Sequence, residues 1–212
     1  MFTGLIELVC RVTSASAADG GMRLAVDLGE LARQCKVGDS IAVNGVCLTI
    51  AQLQGDLAQF DVSGETLTKS TLGKLKPSSP VNVELALKAD SRFGGHFVLG
   101  HVDGAASIKA IDRKGQFTDI KFTTGAELLA QMVVKGSVAV DGISLTTANV
   151  DKDSFSVSII PETLNKTTLG HAKIGDMVNI ETDIIIKTIK SAIDKILPHE
   201  KLTIERLKEL GF

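Results

Sequence analysis

Two positions in nearly identical surroundings could carry nucleophilic chemistry. Cys47 stands in Asn44-Gly-Val-Cys-Leu-Thr49 and Ser144 in Asp141-Gly-Ile-Ser-Leu-Thr146, so one frame offers a thiol in one copy and a hydroxyl in the other. Either side chain becomes a nucleophile when a neighbouring base takes its proton. The stretch Phe93-Gly-Gly-His-Phe-Val-Leu-Gly-His-Val-Asp-Gly104 adds His96 and His101, the residue type most used for moving protons, among glycines that let backbone approach a ligand. The same residues also have a plain structural reading. Cys47 is then a small buried apolar residue, Ser144 a satisfied strand hydroxyl, and each histidine a turn or core residue. His171, beside Gly170, and His199, after Pro198, read as surface residues. A metal is disfavoured, because His96 and His101 in an extended strand would point to opposite faces. No glycine pattern opens a helix in the manner of a dinucleotide fold, and G-x-x-x-x-G-K-[ST] and G-x-S-x-G are absent.

The shared frame extends along the chain. Ser40 to Thr49 matches Ser137 to Thr146, and Gly142 lies 97 residues beyond Gly45 (142 minus 45). The same offset aligns Glu65-Thr-Leu-Thr-Lys-Ser-Thr-Leu-Gly73 with Glu162-Thr-Leu-Asn-Lys-Thr-Thr-Leu-Gly170, and Val81-Asn-Val-Glu84 with Val178-Asn-Ile-Glu181. One residue less places Phe2-Thr-Gly-Leu-Ile-Glu7 on Val98-Leu-Gly-His-Val-Asp103. Each unit exceeds the roughly 20 to 50 residues of a solenoid repeat and is long enough to close its own core. Short alternating stretches such as Ser40-Ile-Ala-Val43 and Phe155-Ser-Val-Ser-Ile159 read as strands. Asn44-Gly45 and Asp141-Gly142 tolerate the positive φ of a two-residue hairpin turn. Short helices are expected over Glu65 to Leu72 and Glu162 to Leu169, with Pro161 in a first turn and Gly73 and Gly170 as stops. Six or so strands per unit suit a small closed barrel.

After Asp183, Ile185, Ile189, Ile193 and Ile196 recur at helical spacing, which predicts a C-terminal helix interrupted by Pro198 and followed by a second short one with Leu202, Leu207 and Leu210. Its apolar face needs cover, and another subunit is the economical choice, folding back on the same chain the alternative.

Composition narrows the function classes. The chain has 212 residues, 44% of them hydrophobic and 23% charged, a globular rather than a disordered balance. A formal net charge of -2, no Trp and no Tyr leave no basic stripe with stacking aromatics, so nucleic acid is not expected as a partner. Three cysteines without a C-x-x-C pair support neither a disulfide framework nor a thiolate zinc site. With no apolar run of membrane length and no signal-peptide start, a soluble cytoplasmic protein acting on a small molecule is expected.

These segments together, with Met1-Phe-Thr-Gly-Leu-Ile-Glu7, Gly94-Gly-His96 and Gly100-His-Val-Asp103, resemble the riboflavin synthase family, in its alpha chain, over residues 1 to about 187. The resemblance implies an all-β fold of two tandem six-stranded Greek-key barrels with short helices. It implies lumazine-binding barrels over 1–96 and 97–187, and a helical tail over 188–212 that assembles a homotrimer. The implied reaction uses no metal and no bound cofactor: two molecules of 6,7-dimethyl-8-ribityllumazine exchange a four-carbon unit, giving riboflavin and a ribitylamino-pyrimidinedione. Two like substrates then call for two like pockets, facing each other from neighbouring subunits. One pocket is implied at Gly4, Leu5, Ile6, Cys47, Leu48, Thr49, Asp61, Val62, Ser63, Gly64, Glu65 and Thr66, with Gly100, His101, Val102 and Lys135 near the shared site. The other takes Ser144, Leu145, Thr146, Ser158, Ile159, Ile160, Pro161, Glu162 and Thr163. Ser144, His101, Cys47 and Phe2 are the catalytic candidates, with Thr146 and Asp141 in support; His101 is assigned proton transfer, and Ser144 or Cys47 the handling of a nucleophile. Two loops depart from the pattern, Ser63-Gly64 where the second unit has Pro161, and Lys76-Pro-Ser-Ser-Pro80 where it has Gly175-Asp176, which leaves local loop shape open. The rival reading is a relative that holds a lumazine or flavin for optical purposes without turnover.

Overall fold

The computed structural model describes residues 1–196. Six strands form the first barrel: β1 (Leu8–Ala18), β2 (Gly21–Asp27), β3 (Ser40–Val43), β4 (Val46–Gln54), β5 (Leu57–Ser63) and β6 (Pro80–Leu85). They pair antiparallel in the order β1-β2-β5-β4-β3-β6, and β6 returns to β1 to close the sheet. The second barrel repeats this order with β7 (Gly104–Lys114), β8 (Phe117–Thr123), β9 (Ser137–Val140), β10 (Ile143–Val150), β11 (Ser154–Ile159) and β12 (Met177–Thr182). The all-β, twofold Greek-key expectation holds.

Alternation produces the barrels. In β5, Ala58, Phe60 and Val62 are buried while Asp61 and Ser63 are exposed, the period of a strand with one wet face. Register shifts at Val12/Ser14 and Ile50/Gln52 recur at Ile108/Ala110 and Thr147/Asn149, and such bulges bend strands enough for closure. The expected two-residue turns are present, with φ of 45° at Asn44 and Asp141 and 75° and 80° at Gly45 and Gly142. Each barrel has its own apolar core, around Phe60 and Leu24 in the first and Phe122 and Phe155 in the second.

Helices α1 (Gly64–Lys69), α2 (Ala126–Leu129) and α3 (Pro161–Lys166) are short. Pro161 opens α3 as expected. Gly73 and Gly170 do not stop the helices; they lie inside 3-10 turns further on. The stops are Ser70 and Thr167, whose hydroxyls donate to the carbonyls of Thr66 and Thr163 at 2.6 and 2.7 Å. A 3-10 helix over Gly29–Gln34 and its counterpart α2 were not foreseen; Leu31, Ala32 and Leu129 from them are buried in the barrel cores. The loop at Lys76 to Pro80 keeps the shape of its counterpart, because Ser78 adopts φ 70° where Gly175 has 93°.

The barrels meet about a local twofold axis. Gly45 and Gly142 touch there, since a side chain on either would strike the other's backbone within 3 Å. Around them the two turns and two strands exchange hydrogen bonds: Asn82 Nδ2 donates to Asp141 O, and Asn179 Nδ2 to Asn44 O, at 3.0 and 2.8 Å. Helix α4 (Ile184–Ile196) follows β12, with Asp183 accepting the Ile185 N–H at its start. Ile185, Ile189 and Ile193 are each about half exposed, at 50%, 51% and 49%, so this face is not folded back onto the described chain. The break at Pro198, His199 and the second helix around Leu202, Leu207 and Leu210 fall outside the described residues.

Candidate functional site

An exchange of chain between the halves places the candidate reactive groups. Gly4 lies on the second barrel and Gly100 on the first, and Phe2 and Val98 join these two straps by an isolated antiparallel bridge. Gly4 O accepts the Ser144 N–H at 2.8 Å, and Gly100 O accepts the Cys47 N–H at 2.9 Å. Both glycines are left-handed, at φ 79° and 78°, and a Cβ on them would come within 2.6 Å of Ser144 Cβ or 2.5 Å of Cys47 Cβ. The glycines there serve the approach of one strap to one barrel. Buried carboxylates hold the straps: Glu84 accepts the N–H groups of Thr3 and Gly4 at 2.7 and 3.0 Å, and Glu181 those of Leu99 and Gly100 at 2.7 and 2.9 Å. Burial pushes both carboxyls above the ordinary glutamate range, against the pull of those donors. The repeat Val81-Asn-Val-Glu84 and Val178-Asn-Ile-Glu181 carried this signal without disclosing its use.

The first hollow joins Cys47, Glu65, Thr66, Gly100, His101 and Val102 with Val46, Lys69 and Ser70, around about 220 Å³. The half-buried thiol and the exposed imidazole therefore share one small cleft beside the start of α1. Ser63 caps that helix, accepting the Thr66 N–H at 3.2 Å. Asp61, Val62 and Ser63 line a separate hollow beside Gly20 and Arg23, and Asp61 pairs with Arg23 at 3.1 Å on the surface.

At the second position the partner of Ser144 is His96, which was read as a default turn or core residue. Its Nδ1 lies 2.8 Å from Ser144 Oγ, and the ring is buried. Burial pushes the imidazole pKa down, with the charge of Asp183 opposing, and Nε2 has no partner. A neutral ring at this distance can accept the hydroxyl proton or donate to the oxygen, depending on its tautomer. Gly94 and Gly95 lay the chain flat here: a Cβ on Gly95 would strike the Thr3 carbonyl, and one on Gly94 would strike Leu5. The Gly94-Gly-His96 motif was the available signal. The residues before His96 and those from Val98 to His101 are irregular chain, so the opposite-face argument for a strand does not apply. Among the described residues no cluster of three His, Cys, Asp or Glu could hold a metal ion.

Several expected site residues are placed elsewhere. The Phe2 ring is fully buried with Val98, Ala42 and Ala139 between the barrels, where it anchors the strap. Leu48, Val62, Leu145 and Ile159 point into the barrel cores, a consequence of strand alternation, so only their backbones can face a ligand. Thr49 and Thr146 face outward from β4 and β10, next along from the buried Leu48 and Leu145. Ile6 packs against the second core and Val102 against the first. Lys135 stands exposed in a left-handed turn, φ 69°, before β9. Ser158, Ile160, Glu162 and Thr163 are exposed or half-exposed around the start of α3, with Glu162 paired to Lys166 at 2.8 Å. Asp141 is turned to the barrel junction, its Oδ1 accepting the Asn179 N–H at 2.7 Å, and it does not join the Ser144–His96 pair.

Two copied barrels, each with a left-handed glycine strap laid against its Cys47 or Ser144 position and the first with a small hollow beside it, define a duplicated small-molecule-binding protein. Both halves match the lumazine binding domain, over residues 3–86 and 99–183. The chain is 41% identical to the riboflavin synthase of Actinobacillus pleuropneumoniae over all of both chains. It is 40% identical to that of Bacillus subtilis over 88% of this chain and 87% of the relative. The crystal structure of LumP complexed with 6,7-dimethyl-8-(1'-D-ribityl) lumazine superposes with a TM-score of 0.78 at 21% identity, covering 86% of this chain and 99% of that one, a likeness of fold. The chain belongs to the riboflavin synthase family, whose members are transferases.

Proposed function

We propose that this chain converts two molecules of 6,7-dimethyl-8-ribityllumazine into riboflavin and 5-amino-6-ribitylamino-pyrimidinedione, as a cytosolic homotrimer. The carrying observation is the matched pair of reactive positions, Cys47 beside His101 and Ser144 beside His96, on two copies of one barrel. Two identical heterocycles that exchange carbon need two similar seats with different chemistry in each.

The reaction asks little of the protein beyond placement. The 7-methyl group of the lumazine is acidic because its carbanion is delocalised through the ring, so a positioned acceptor suffices. His101 takes and returns that proton, since its imidazole opens into the first hollow. Ser144, oriented by His96, or Cys47 handles the nucleophile that adds to the partner ring. The donor ring gives up its four-carbon unit and keeps both nitrogens as amines, the acceptor ring gains the unit, and the atoms balance without an added oxidant. Holding the two rings in register supplies much of the rate. The first hollow, at about 220 Å³, is below the roughly 300 Å³ of ordinary ligand sites. A ring in it would stand partly outside, which suits closure by the Ser144 side of a neighbouring chain. The uncovered isoleucine face of α4 supports such an assembly.

Turnover tests the reading. Purified protein mixed with the lumazine should produce riboflavin absorbance at one riboflavin per two lumazines consumed. Tight binding without product would favour an optical, ligand-holding relative.

A further inference from the structure

A second cavity, distinct from the hollow at Cys47, opens between the barrels on the local twofold axis. It has a volume of about 450 Å³ and draws on both halves, with Thr71 and Thr168, and Asn44 and Asp141, at matched positions. Asn44 and Asp141 are each more than nine-tenths buried. Asn44 Oδ1 accepts the Asn82 N–H at 2.7 Å, which fixes the amide so that its NH2 group is the free end. Asp141 Oδ1 is likewise used on the Asn179 N–H at 2.7 Å, which frees Oδ2. Neither free end has a hydrogen-bond partner among the described residues, and both residues line the cavity.

From this arrangement we propose that the inter-barrel cavity is a binding site for a cyclic ureide or imide of the uracil type. The floor offers a donor from Asn44 and, above about pH 7 where the buried carboxyl has lost its proton, an acceptor from Asp141, the complement of a ring edge that carries C=O beside N–H. Leu75 and Leu169 supply apolar walls for a flat ring, and the size falls within the range of small-molecule sites at domain boundaries. The duplication explains why the site is polarised: two asparagines would offer two donors, and the single change to Asp141 turns one of them into an acceptor. The inference stands apart from lumazine turnover, which uses the other faces of the barrels.

Saturation-transfer NMR and calorimetry of the full chain at pH 8, with uracil as the probe and 1,3-dimethyluracil as the control lacking any N–H, test the site. Uracil should bind and the dimethyl compound should not. Asp141→Asn, which copies the residue native to the other half, should weaken uracil by about tenfold or more, the loss of a charge-assisted hydrogen bond. Met177→Trp, which fills the cavity from its partly exposed rim, should abolish binding even if the first variant perturbs the junction. Cys47→Ser and Ser144→Ala should leave uracil binding unchanged, which separates this cavity from the substrate hollows. Equal binding of both compounds, no binding of uracil, binding indifferent to both Asp141→Asn and Met177→Trp, or loss in the Cys47 or Ser144 variants would overturn the proposal.

Discussion

Ser144 and Cys47 occupy the same strand position but have different neighbours, and this difference sets their expected behaviour. His96 touches Ser144 at 2.8 Å and is buried, so His96→Gln should lower kcat by roughly 100-fold through misplacement of the hydroxyl, with KM little changed. Steady-state assays of lumazine turnover check this, and a parallel loss in KM would mean that the ring merely supports the cavity wall. Cys47→Ser should slow turnover at the first hollow; full activity would remove the thiol from the chemistry. The residue type of His96 is legible in the sequence but its place beside Ser144 is not, because a Gly-Gly-His stretch does not show which barrel it will lie against. Asp141 is the complementary case. Its match to Asn44 was legible, whereas the direction of its carboxyl, toward the junction, depends on Asn179 and on the packing of two barrels. Burial raises its pKa to about 7. An acid that keeps its proton in the fold lends stability that is complete below the ordinary aspartate range and is lost as pH rises through about 7. Melting curves from pH 4 to 8 should therefore show the wild type declining, by up to on the order of 4 kcal/mol, relative to Asp141→Asn. A constant difference between the two proteins across that range would mean that the carboxyl titrates normally.

Strands and turns were readable because their signals are local. Alternation gives the strands, and Asn44-Gly45 and Asp141-Gly142 give the hairpins, each from residues adjacent in sequence. The straps, the Glu84 and Glu181 clamps and the small helices that carry Leu31 and Leu129 into the cores were not readable, since they depend on contacts between segments about 80 residues apart or on the open end of a barrel. The loop at Ser78 lies between these cases. Its sequence departs from Gly175-Asp176, yet Ser79 Oγ accepts the Lys76 N–H at 3.0 Å as Asp176 accepts that of Lys173 at 2.8 Å, so the same turn is built from different residues. The departure leaves Ser78 strained at φ 70°. Ser78→Gly should raise stability by about 0.5 to 1 kcal/mol, the relief of a left-handed side chain less the added freedom of glycine in the unfolded chain. Chemical denaturation with an unchanged slope measures it, and a destabilised variant would show that the serine side chain holds the loop.

At the scale of the molecule, one chain already contains both reactive positions, Cys47 with its hollow and Ser144 with His96, as copies related by the axis through Gly45 and Gly142, each beside its own strap. Under the proposed assembly, a second chain brings the Ser144 position of its second barrel against the first-barrel hollow. The surface available for holding chains together is α4, where Ile185, Ile189 and Ile193 form one uncovered face while Lys187 near its start is tied to Asp103 at 2.9 Å. That ion pair fixes the helix on its own barrel and leaves the isoleucines uncovered, the face the proposed assembly would use. Ile189→Glu, at the centre of the face, places a charge where an apolar contact would form, which costs several kcal/mol per interface if the carboxylate is buried. The variant should sediment as a single chain with an unaltered far-ultraviolet spectrum, and its turnover should fall steeply with dilution while each barrel still binds riboflavin. If it sediments like the wild type, α4 is not the assembly element; if it becomes a monomer yet keeps full turnover at low concentration, the two rings meet within one chain.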